Sequence, residues 1–433
     1  FEQHKLLHSK GITIIVLDHH LSERYSEYAI VVNNQLDSVG NKSLSGAGIV
    51  LKFLEGIDLK LKLDRARDYL DLVAVAIVAD CIKIDNPETR YYVQKGMATR
   101  NNELISSLYR PGKIINYDSI SFEVAPIINA FSRVGTFSER VELFQALIGS
   151  NETRSIMVNN KEIEIDLVSY MKKLGNTINR QTSIINTALK FEETKILTDG
   201  LPISICILGN SVAAKNVTGL LANRLVEEYK KPCITIYLKD GIYKGSGRTT
   251  ETFNNFKDFL VDTNKFIFCE GHQEAFGLAI EQDNLNAFIN NIKDVHLDEN
   301  HIYYSVDGMY KDTVSAWDIL QVSQLNNSYC RGFERPQFYI ELTKPVEIEI
   351  IGIKQNTIRI KHDTITYIKF KCSNEEIEAA KNIIPTTIKM IGYFDTNIWN
   401  DREYPQVIIQ KLEIEGHSKP QETLDLFGFG VTW

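Results

Sequence analysis

The stretch TIIVLDHHLS, residues 13–22, predicts a buried strand that ends on three polar side chains. Five apolar or β-branched residues lead into Asp18, His19 and His20, and burying such groups costs free energy unless a partner compensates them. In α/β folds ligands bind at the carboxyl ends of parallel strands, and a carboxylate beside imidazoles suits Mn²⁺, Mg²⁺, Fe²⁺ or Zn²⁺. The alternative is a hydrogen-bonded polar cluster that caps the next helix.

A second apolar run, VAVAIVADCIKI at residues 73–84, contains a single acidic residue, Asp80. A carboxylate that follows so apolar a stretch is either a helix-end residue or a second metal ligand. The pattern leaves both interpretations open, and Asp80 joins the candidate ligands.

The composition of the chain excludes several classes of protein. Hydrophobic residues make up 43% and charged residues 24% of the 433 residues, which is typical of globular domains. No apolar run approaches the roughly 18 residues of a transmembrane helix, so we expect no membrane partner. Six cysteines without a CxxC pair predict free thiols and a cytoplasmic location. The net charge of −8 argues against a uniformly basic nucleic-acid surface but leaves room for a local basic groove.

Periodicity and composition divide the chain into successive segments. Strands that feed helices indicate α/β layers, helical spacing of apolar residues indicates a long helix, and short alternating strands indicate a small barrel, with an OB-fold as the favoured candidate. In chain order we predict an α/β domain with a parallel sheet (1–150), a connecting helix (151–194), a second α/β domain (195–300), a linker (301–334), an antiparallel β-barrel (335–415) and a flexible tail (416–433).

Several motifs, in order, resemble those of the DHH phosphoesterases, and within them the RecJ family of single-strand-specific exonucleases. The first half carries VLDHH, LSGAGIVLKFL, VAIVADCIKI and PIINAFSRVG. The second half carries NTINRQ, VTGLLANRL, GSGRT and EGHQEAFG, the last of which departs from the family pattern at Glu270 and Phe276. The resemblance covers nearly the whole chain and implies a DHH domain, a DHH-associated substrate-binding domain and an OB-fold.

The resemblance also implies roles for individual residues. Asp18, His19 and Asp80 would be metal ligands for Mn²⁺ or Mg²⁺, with Asp18 and His20 catalytic. His20 would either lie behind the ligands or contact the scissile phosphate. The implied phosphate- or DNA-binding residues are Asn129, Arg133, Ser246, Gly247, Arg248 and His272. The GSGR stretch has a physical basis as well, since glycines admit a phosphate to the backbone and arginine grips two oxygens. A hairpin turn with a surface arginine is the alternative there.

RecJ-like enzymes carry two earlier aspartate motifs, and the residues before Ile12 supply neither. With Asp18, His19 and Asp80 alone, a two-metal site lacks part of its ligands. We therefore expect a fragment of a longer protein, a second chain that supplies the rest, or a form that does not catalyse.

The predicted function is metal-dependent, 5′–3′ exonuclease digestion of single-stranded DNA in repair and recombination. The alternatives are a DHH phosphodiesterase for short oligonucleotides and a catalytically inactive DNA-binding or replication scaffold. Single-stranded DNA is the expected partner, with a single-strand-binding protein as a further possibility. In the barrel, the aromatic and basic residues available to stack bases and follow phosphates are Tyr339, Tyr367, Tyr393, Trp399, Lys354, Lys361 and Lys369.

The tail contains the stretch QETLDLFGF, residues 421–429. Leu424, Leu426 and Phe427 resemble the apolar anchors of a sliding-clamp-binding peptide, which docks as a short tethered segment in a groove of its partner. The alternative is that these side chains fold back onto the surface of the protein.

Overall fold

The computed structural model describes residues 1–20, 26–36, 40–112, 115–158, 161–173, 177–209, 212–250, 252–253, 255–293, 295–297, 304–343, 346–400 and 402–418. The chain forms two compact units, one made of Phe1–Cys81 and Tyr91–Tyr303 and the other of Ile82–Arg90 and Tyr304–Trp433. Within the described residues, no helix combines the length and apolar character that a membrane crossing requires.

Near the start of the first unit lies a pair of strands, the first of which the sequence predicts, but that strand is not buried as expected, because Ile15 is exposed and the next three residues are half-buried. Strands β1 (Ile15–Asp18) and β2 (Ile30–Asn33) are parallel, and Asp18 lies opposite Asn33 in the register. Both strands therefore end at the same edge, which gathers their final polar side chains. Helix α2 (Gly46–Leu61) starts beside this edge, where the hydroxyl of Ser45 accepts a hydrogen bond from the Gly48 amide as its N-cap.

Helices make up most of the rest of this half of the unit. Their bounds are α1 (Glu2–Ser9), α3 (Leu70–Ala79), α4 (Pro87–Ala98), α5 (Glu103–Leu108), α6 (Tyr117–Ser119), α7 (Ala125–Val134) and α8 (Phe137–Leu147). Helix α5 starts at Asn102, an N-cap whose side chain accepts from the Ile105 amide at 3.1 Å. A π-helical turn, Ile120–Val124, leads directly into α7.

The segment 151–194, predicted as one long helix or two in line, begins with two strands and is helical only in its later part. Strands β3 (Thr153–Val158) and β4 (Lys161–Asp166) form an antiparallel hairpin, which is followed by α9 (Leu167–Lys173) and α10 (Thr177–Lys190). Residues 162–166, EIEID, alternate acidic residues with isoleucine, and this period of two favours a strand.

A six-stranded sheet forms the second half of this unit, in the order β5-β6-β7-β8-β10-β9. Its strands are β5 (Lys195–Leu197), β6 (Ser204–Leu208), β7 (Cys233–Lys239), β8 (Ile242–Arg248), β9 (Phe266–Gly271) and β10 (Ala275–Glu281). Its helices are α11 (Thr218–Tyr229), α12 (Phe256–Asp262) and α13 (Gln282–Ile292). Strands β6 and β7 are parallel and α11 connects them. Along β6, Ile205 packs into one core and Cys206 into the other, so both faces of the sheet are covered.

The second unit contains a seven-stranded sheet in the order β11-β12-β16-β17-β15-β14-β13. The strands are β11 (Gly308–Lys311), β12 (Phe338–Leu342), β13 (Glu347–Ile351), β14 (Thr357–His362), β15 (Ile365–Lys369), β16 (Ile383–Trp399) and β17 (Arg402–Ser418). Helices α14 (Ala316–Ser323) and α15 (Asn374–Asn382) complete the unit. The sheet is mixed rather than purely antiparallel, because β11 pairs with β12 and β15 with β17 in parallel.

The predicted barrel is not seen as a closed structure. Among the described residues the outer strands β11 and β13 do not pair, so the sheet is open. Of the aromatic residues proposed to stack bases, Tyr367 is fully buried in the core, whereas Trp399 is largely exposed. Lys361 forms ion pairs with Glu347 and Glu349. Side chains alternate between the two faces of a strand, so part of the set predicted to bind DNA, such as Tyr367, lies inside the unit.

Candidate metal and phosphate site

Two predicted metal ligands, Asp18 and His19, meet the predicted catalytic residue His20 at the end of β1. One ligand atom from each of Asp18, His19 and His20 lies within 4.8 Å of the others, and this is the group of metal-ligating residues found among the described residues. Oδ1 of Asp18 accepts from the backbone amides of His19 and His20 at 2.8 and 3.3 Å and lies 2.7 Å from Nδ1 of His20. Because these bonds all end on Oδ1, Oδ2 is the oxygen available to a ligand.

Asp80 reaches the same cluster from α3. It ends α3 as the C-cap residue, and its Oδ2 lies 3.4 Å from Nε2 of His19. The side chain of His19 is mostly buried, while that of Asp80 is half exposed. Asp80 therefore ends a helix and also lies beside an imidazole of the DHH stretch, and its role as a metal ligand stays a prediction.

The hydrogen bonds to Asp18 favour its charged form. Partial burial alone would raise the pKa of the Asp18 carboxyl, but the hydrogen bonds from His20 and from the two backbone amides outweigh it and hold the pKa below its usual range. The carboxylate is thus ionised at neutral pH, as metal binding requires.

Asn33 supports the DHH stretch, a role that the sequence analysis missed. Its buried side chain donates from Nδ2 to the carbonyl oxygen of His20 at 2.8 Å, and its Oδ1 accepts from the Gln35 amide at 2.9 Å. It lies opposite Asp18 in the parallel register, so it fixes the backbone on which the histidines are mounted. A polar residue ending the strand AIVVN was the available signal.

The donor set fits a divalent cation. Two carboxylates, Asp18 and Asp80, and the imidazole of His19 offer oxygen and nitrogen atoms at one strand end, and His20 adds a second imidazole. These donors suit Mn²⁺ and related ions, whereas thiolate-preferring sites need cysteines. The only nearby cysteine in the sequence, Cys81, follows Asp80 at an exposed position with a positive φ of 53°.

A second cluster brings together two arginines from distant segments. Burial lowers the pKa of Arg133, at the end of α7, and burial together with the positive charge of Arg133 lowers the pKa of Arg248, at the end of β8. Arg248 donates from Nη1 to the Gly247 carbonyl at 2.7 Å. No carboxylate contributes to either shift, so among the described residues two partly buried guanidinium groups face each other without an acid between them. An anion would relieve their repulsion.

The N-terminus of α11 lies against this pair. No side chain caps the helix at Val217, and a 3₁₀ turn, Val212–Val217, leads directly into it. Thr218 Oγ1 hydrogen-bonds to Ser246 Oγ at 2.9 Å, and Asn216 donates to the Arg133 carbonyl at 3.0 Å. Gly219 also lies close to Arg248, because a Cβ at position 219 would be 2.6 Å from Nη2 of Arg248. The N-terminus of α11, the hydroxyls of Thr218 and Ser246, and the two arginines thus lie close together.

The remaining predicted residues are placed less centrally. Ser246 and Arg248 share one face of β8, whereas Gly247 is buried on the opposite face, where a Cβ would meet the Phe276 ring at 2.4 Å. The structure thus gives Gly247 a packing role. His272 is exposed in the turn between β9 and β10. It lies near Ala275, which pairs with Arg248 in the sheet. Asn129 lies one turn before Arg133 on α7. The clamp-peptide residues Leu424, Leu426 and Phe427 lie outside the described residues.

Comparisons with known proteins agree with this chemistry. No family model matches the sequence. The chain is 34% identical over 445 aligned residues to a putative SPbeta prophage-derived single-strand DNA-specific exonuclease, YorK, of Bacillus subtilis. The alignment covers 96% of this chain and 76% of that protein. It is 25% identical to the single-stranded-DNA-specific exonuclease RecJ of Haemophilus influenzae, of which it spans 66%.

The fold also resembles a solved structure. RecJ from Thermus thermophilus in complex with Mn²⁺ superposes with a TM-score of 0.73 at 19% identity, over 96% of this chain and 60% of that one. The RecJ structure with Mg²⁺ gives a TM-score of 0.69. The identity and coverage of the prophage relative show that the chain belongs to the RecJ family of single-strand DNA-specific exonucleases, in the DHH superfamily.

Proposed function

We propose that the chain is the catalytic and substrate-binding part of a metal-dependent exonuclease that degrades single-stranded DNA from the 5′ end. The observation that carries this proposal is the combination of an acid–imidazole cluster at the end of β1 with an arginine pair at the N-terminus of α11. The relatives named as single-strand exonucleases support the substrate class. A role in DNA repair and recombination, in the cytoplasm, follows from the family resemblance.

Each cluster would perform a separate part of the reaction. Asp18, His19 and Asp80 would hold a divalent ion, for which Mn²⁺ is supported by the RecJ structure that contains it. Such an ion would supply charge neutralisation at the scissile phosphate and an activated water. His20 hydrogen-bonds through Nδ1 to Asp18, so in its protonated form Nε2–H would donate to a phosphate oxygen or pass its proton to the leaving oxygen.

The arginine pair would hold a terminal phosphate of the strand. Arg133 and Arg248 each offer a planar fork of donors, Ser246 and Thr218 add hydroxyls, and the α11 amides add the helix dipole. Asn129, Gly247 and His272 belong to this proposal as flanking positions. The second unit would guide the rest of the strand, and the OB-fold remains a proposal that its open sheet supports only in part.

Digestion of 5′-labelled oligonucleotides with Mn²⁺ tests the proposal. We expect mononucleotides from single strands and little product from duplexes, with the activity lost in Asp80→Ala. Asp64→Ala is the matched control, because Asp64 is an exposed carboxylate whose one partner is Arg67, three residues along a surface turn. Binding of single strands without cleavage by the native chain would instead support the scaffold alternative, with catalysis requiring further ligands.

The tail peptide is a separate proposal. Leu424, Leu426 and Phe427 would dock on a sliding clamp, a partner that only the sequence pattern supports. A pull-down with the host clamp should be lost when Leu426 and Phe427 are changed to alanine. Retention of the full signal in that variant would rule this docking out.

A further inference from the structure

The two longest strands of the second unit extend past the strands that flank them. Strands β16 and β17 pair with each other along their length, up to Trp399 opposite Arg402. Their neighbours pair over short stretches only, β12 with residues 388–392 and β15 with residues 406–408. Among the described residues, 396–399 and 402–405 therefore form a two-stranded ribbon with no third strand beside it. We call this segment the β16–β17 ribbon.

The β16–β17 ribbon exposes large apolar side chains. Trp399 is 66% exposed, Ile398 61% and Tyr404 46%. A two-stranded ribbon is marginally stable in water by itself, so we would expect residues that hold it together to pack rather than to face solvent. The exposed rings thus mark a surface for interaction rather than a part of the core.

Aromatic, basic and amide side chains share one side of the ribbon. In the register Trp399 lies opposite Arg402, and Asn397 lies opposite Tyr404. Opposite residues, and alternate residues along a strand, point to the same side of a ribbon. We call these four residues the ribbon face. Ile398 lies on the other side.

The polar groups of the ribbon face are unused. Within the part of the chain that the structure describes, the side chains of Arg402, Asn397 and Tyr404 form no hydrogen bond or ion pair. Cations elsewhere on the sheet are neutralised, as where Lys311 binds Glu341 at 2.9 Å. The guanidinium of Arg402 is instead available to a phosphate.

The acids near the ribbon face do not compete for Arg402 among the described residues. Asp395, next along this side of the ribbon, accepts from Asn326 at 3.0 Å and from Gln406 at 2.9 Å. Glu403 points to the opposite side, because it is adjacent to Arg402 along β17. The ribbon face thus keeps its positive charge.

The spacing of the two rings suits one planar group. Trp399 and Tyr404 are diagonal neighbours across the ribbon, a relation that separates residues by about 7–8 Å. Neither ring contacts another aromatic ring of the described chain. Because stacked bases lie about 3.4 Å apart, a gap of roughly twice that distance holds one base between the rings.

We propose that the ribbon face binds an unpaired nucleobase between Trp399 and Tyr404, while Arg402 contacts the adjoining phosphate. Stacking of bases on aromatic rings tolerates every sequence, and cationic side chains beside the rings follow the backbone of the strand. A paired base in a duplex is already stacked on its neighbours, so the ribbon face selects single strands. This inference rests on the proposed function for its ligand, single-stranded DNA, and adds Tyr404 and Arg402, which the sequence analysis did not select.

Tryptophan fluorescence of the 433-residue chain tests the proposal. In EDTA, where no metal-dependent cleavage occurs, oligothymidine should quench the emission because a base stacks on Trp399. Trp399→Ala should remove that quenching and raise the Kd about tenfold, and it should fold because the side chain it replaces is exposed. Ile398→Ala, on the other side of the ribbon, is the control and should match the native chain. Native affinity in Trp399→Ala, or quenching as strong as in the native chain, would overturn the proposal in favour of a protein partner at the ribbon face.

Further variants test the arrangement of the two rings. Tyr404→Ala should weaken binding as Trp399→Ala does, and the double variant should bind no more weakly than either single one, because both rings hold the same base. Losses that add up in the double variant would contradict a shared base. An abasic strand of the same length should bind without quenching, and strong quenching by it would contradict stacking. Arg402→Gln should reduce the salt dependence of binding by about one phosphate contact for either strand.

These measurements separate the ribbon face from the proposed nuclease site. Asp80→Ala should be quenched as the native chain is, because the ribbon belongs to the other unit. Quenching without cleavage by the native chain would reject the exonuclease function and keep the ribbon face. Cleavage by the native chain, together with unchanged strand binding in Trp399→Ala, would reject the ribbon face alone.

Discussion

The metal cluster and the arginine cluster of the first unit are built in opposite ways. Asp18, His19 and His20 are consecutive in the chain and are hydrogen-bonded to one another, so the charges of the cluster are partly compensated within it. Arg133 and Arg248 come from segments more than a hundred residues apart and repel each other. The charges of the first cluster are partly balanced within it, whereas an anion would balance those of the second. This difference supports the proposal that the first cluster binds a metal ion and the second binds the substrate.

The largest effect should follow from Asp18→Asn. The amide keeps the shape and an acceptor for the His19 and His20 backbone amides, but it removes the charge that binds a cation. We expect Mn²⁺ binding, measured by calorimetry, to be lost, and cleavage to fall on the order of 10³-fold, as for a missing metal ligand. Single-strand binding by fluorescence anisotropy should change little. If strand binding falls as far as cleavage does, metal binding and strand binding do not belong to separate clusters.

Arg248→Gln should produce the reverse pattern. We expect the KM for 5′-phosphorylated strands to rise about 10- to 100-fold, because a charge-assisted contact is lost, while Mn²⁺ affinity stays unchanged. The variant should also melt about 1–3 °C higher, since it removes a partly buried cation that faces Arg133 without an acid between them. Lys244→Gln, earlier on the same strand, is the control and should show neither effect. A lower melting temperature for Arg248→Gln would contradict the repulsion between Arg133 and Arg248.

Asn33→Ala should have a smaller effect on the metal cluster. Loss of the bond to the His20 carbonyl should lower Mn²⁺ affinity about tenfold and the free energy of unfolding by about 1–2 kcal/mol. The comparison is Asn34→Ala, whose side chain donates to Asn41 instead. Equal losses of metal affinity in the two variants would mean that Asn33 has no specific positioning role.

The smallest effect concerns pH. The pKa of Asp18 is lowered in the folded chain, so its contribution to stability is fully present above the pKa of the unfolded chain and is lost as the pH falls through the lower, folded value. Urea unfolding between about pH 5 and about pH 3 should therefore show a shallower decline for Asp18→Asn than for the native chain. If the stability of the two proteins declined equally as the pH falls, this would contradict a hydrogen-bonded Asp18 carboxylate.

The sequence predicted the local parts of the molecule better than the assembled ones. The DHH stretch and Asp80 could be found because an apolar run that ends in polar residues is a local pattern, and Arg248 because GSGR is compact. Thr218, Asn216 and Gly219 could not, because their role exists only once α11 lies against β8. Asn33 likewise depends on the parallel register of two strands.

The errors have a similar cause. The hairpin Thr153–Asp166 was interpreted as helix because apolar residues further along the segment follow helical spacing, while the strand period covers a short stretch. The stacking residues of the second unit were chosen by residue type, which cannot tell the buried Tyr367 from the exposed Trp399. Burial is decided by the pairing of distant strands, and a single sequence does not contain that pairing in any one place.

Gly219 leaves room for the side chain of Arg248. The atoms nearest to a methyl group at this position would be the tip of Arg248 and, further away, the Ser246 hydroxyl, so the substitution would displace a side chain rather than the backbone. The guanidinium would then move, although no charge and no hydrogen-bonding group had been added or removed. Under the phosphate-binding role proposed for Arg248, one carbon atom on a helix would thus change the position of a binding group without changing its chemistry.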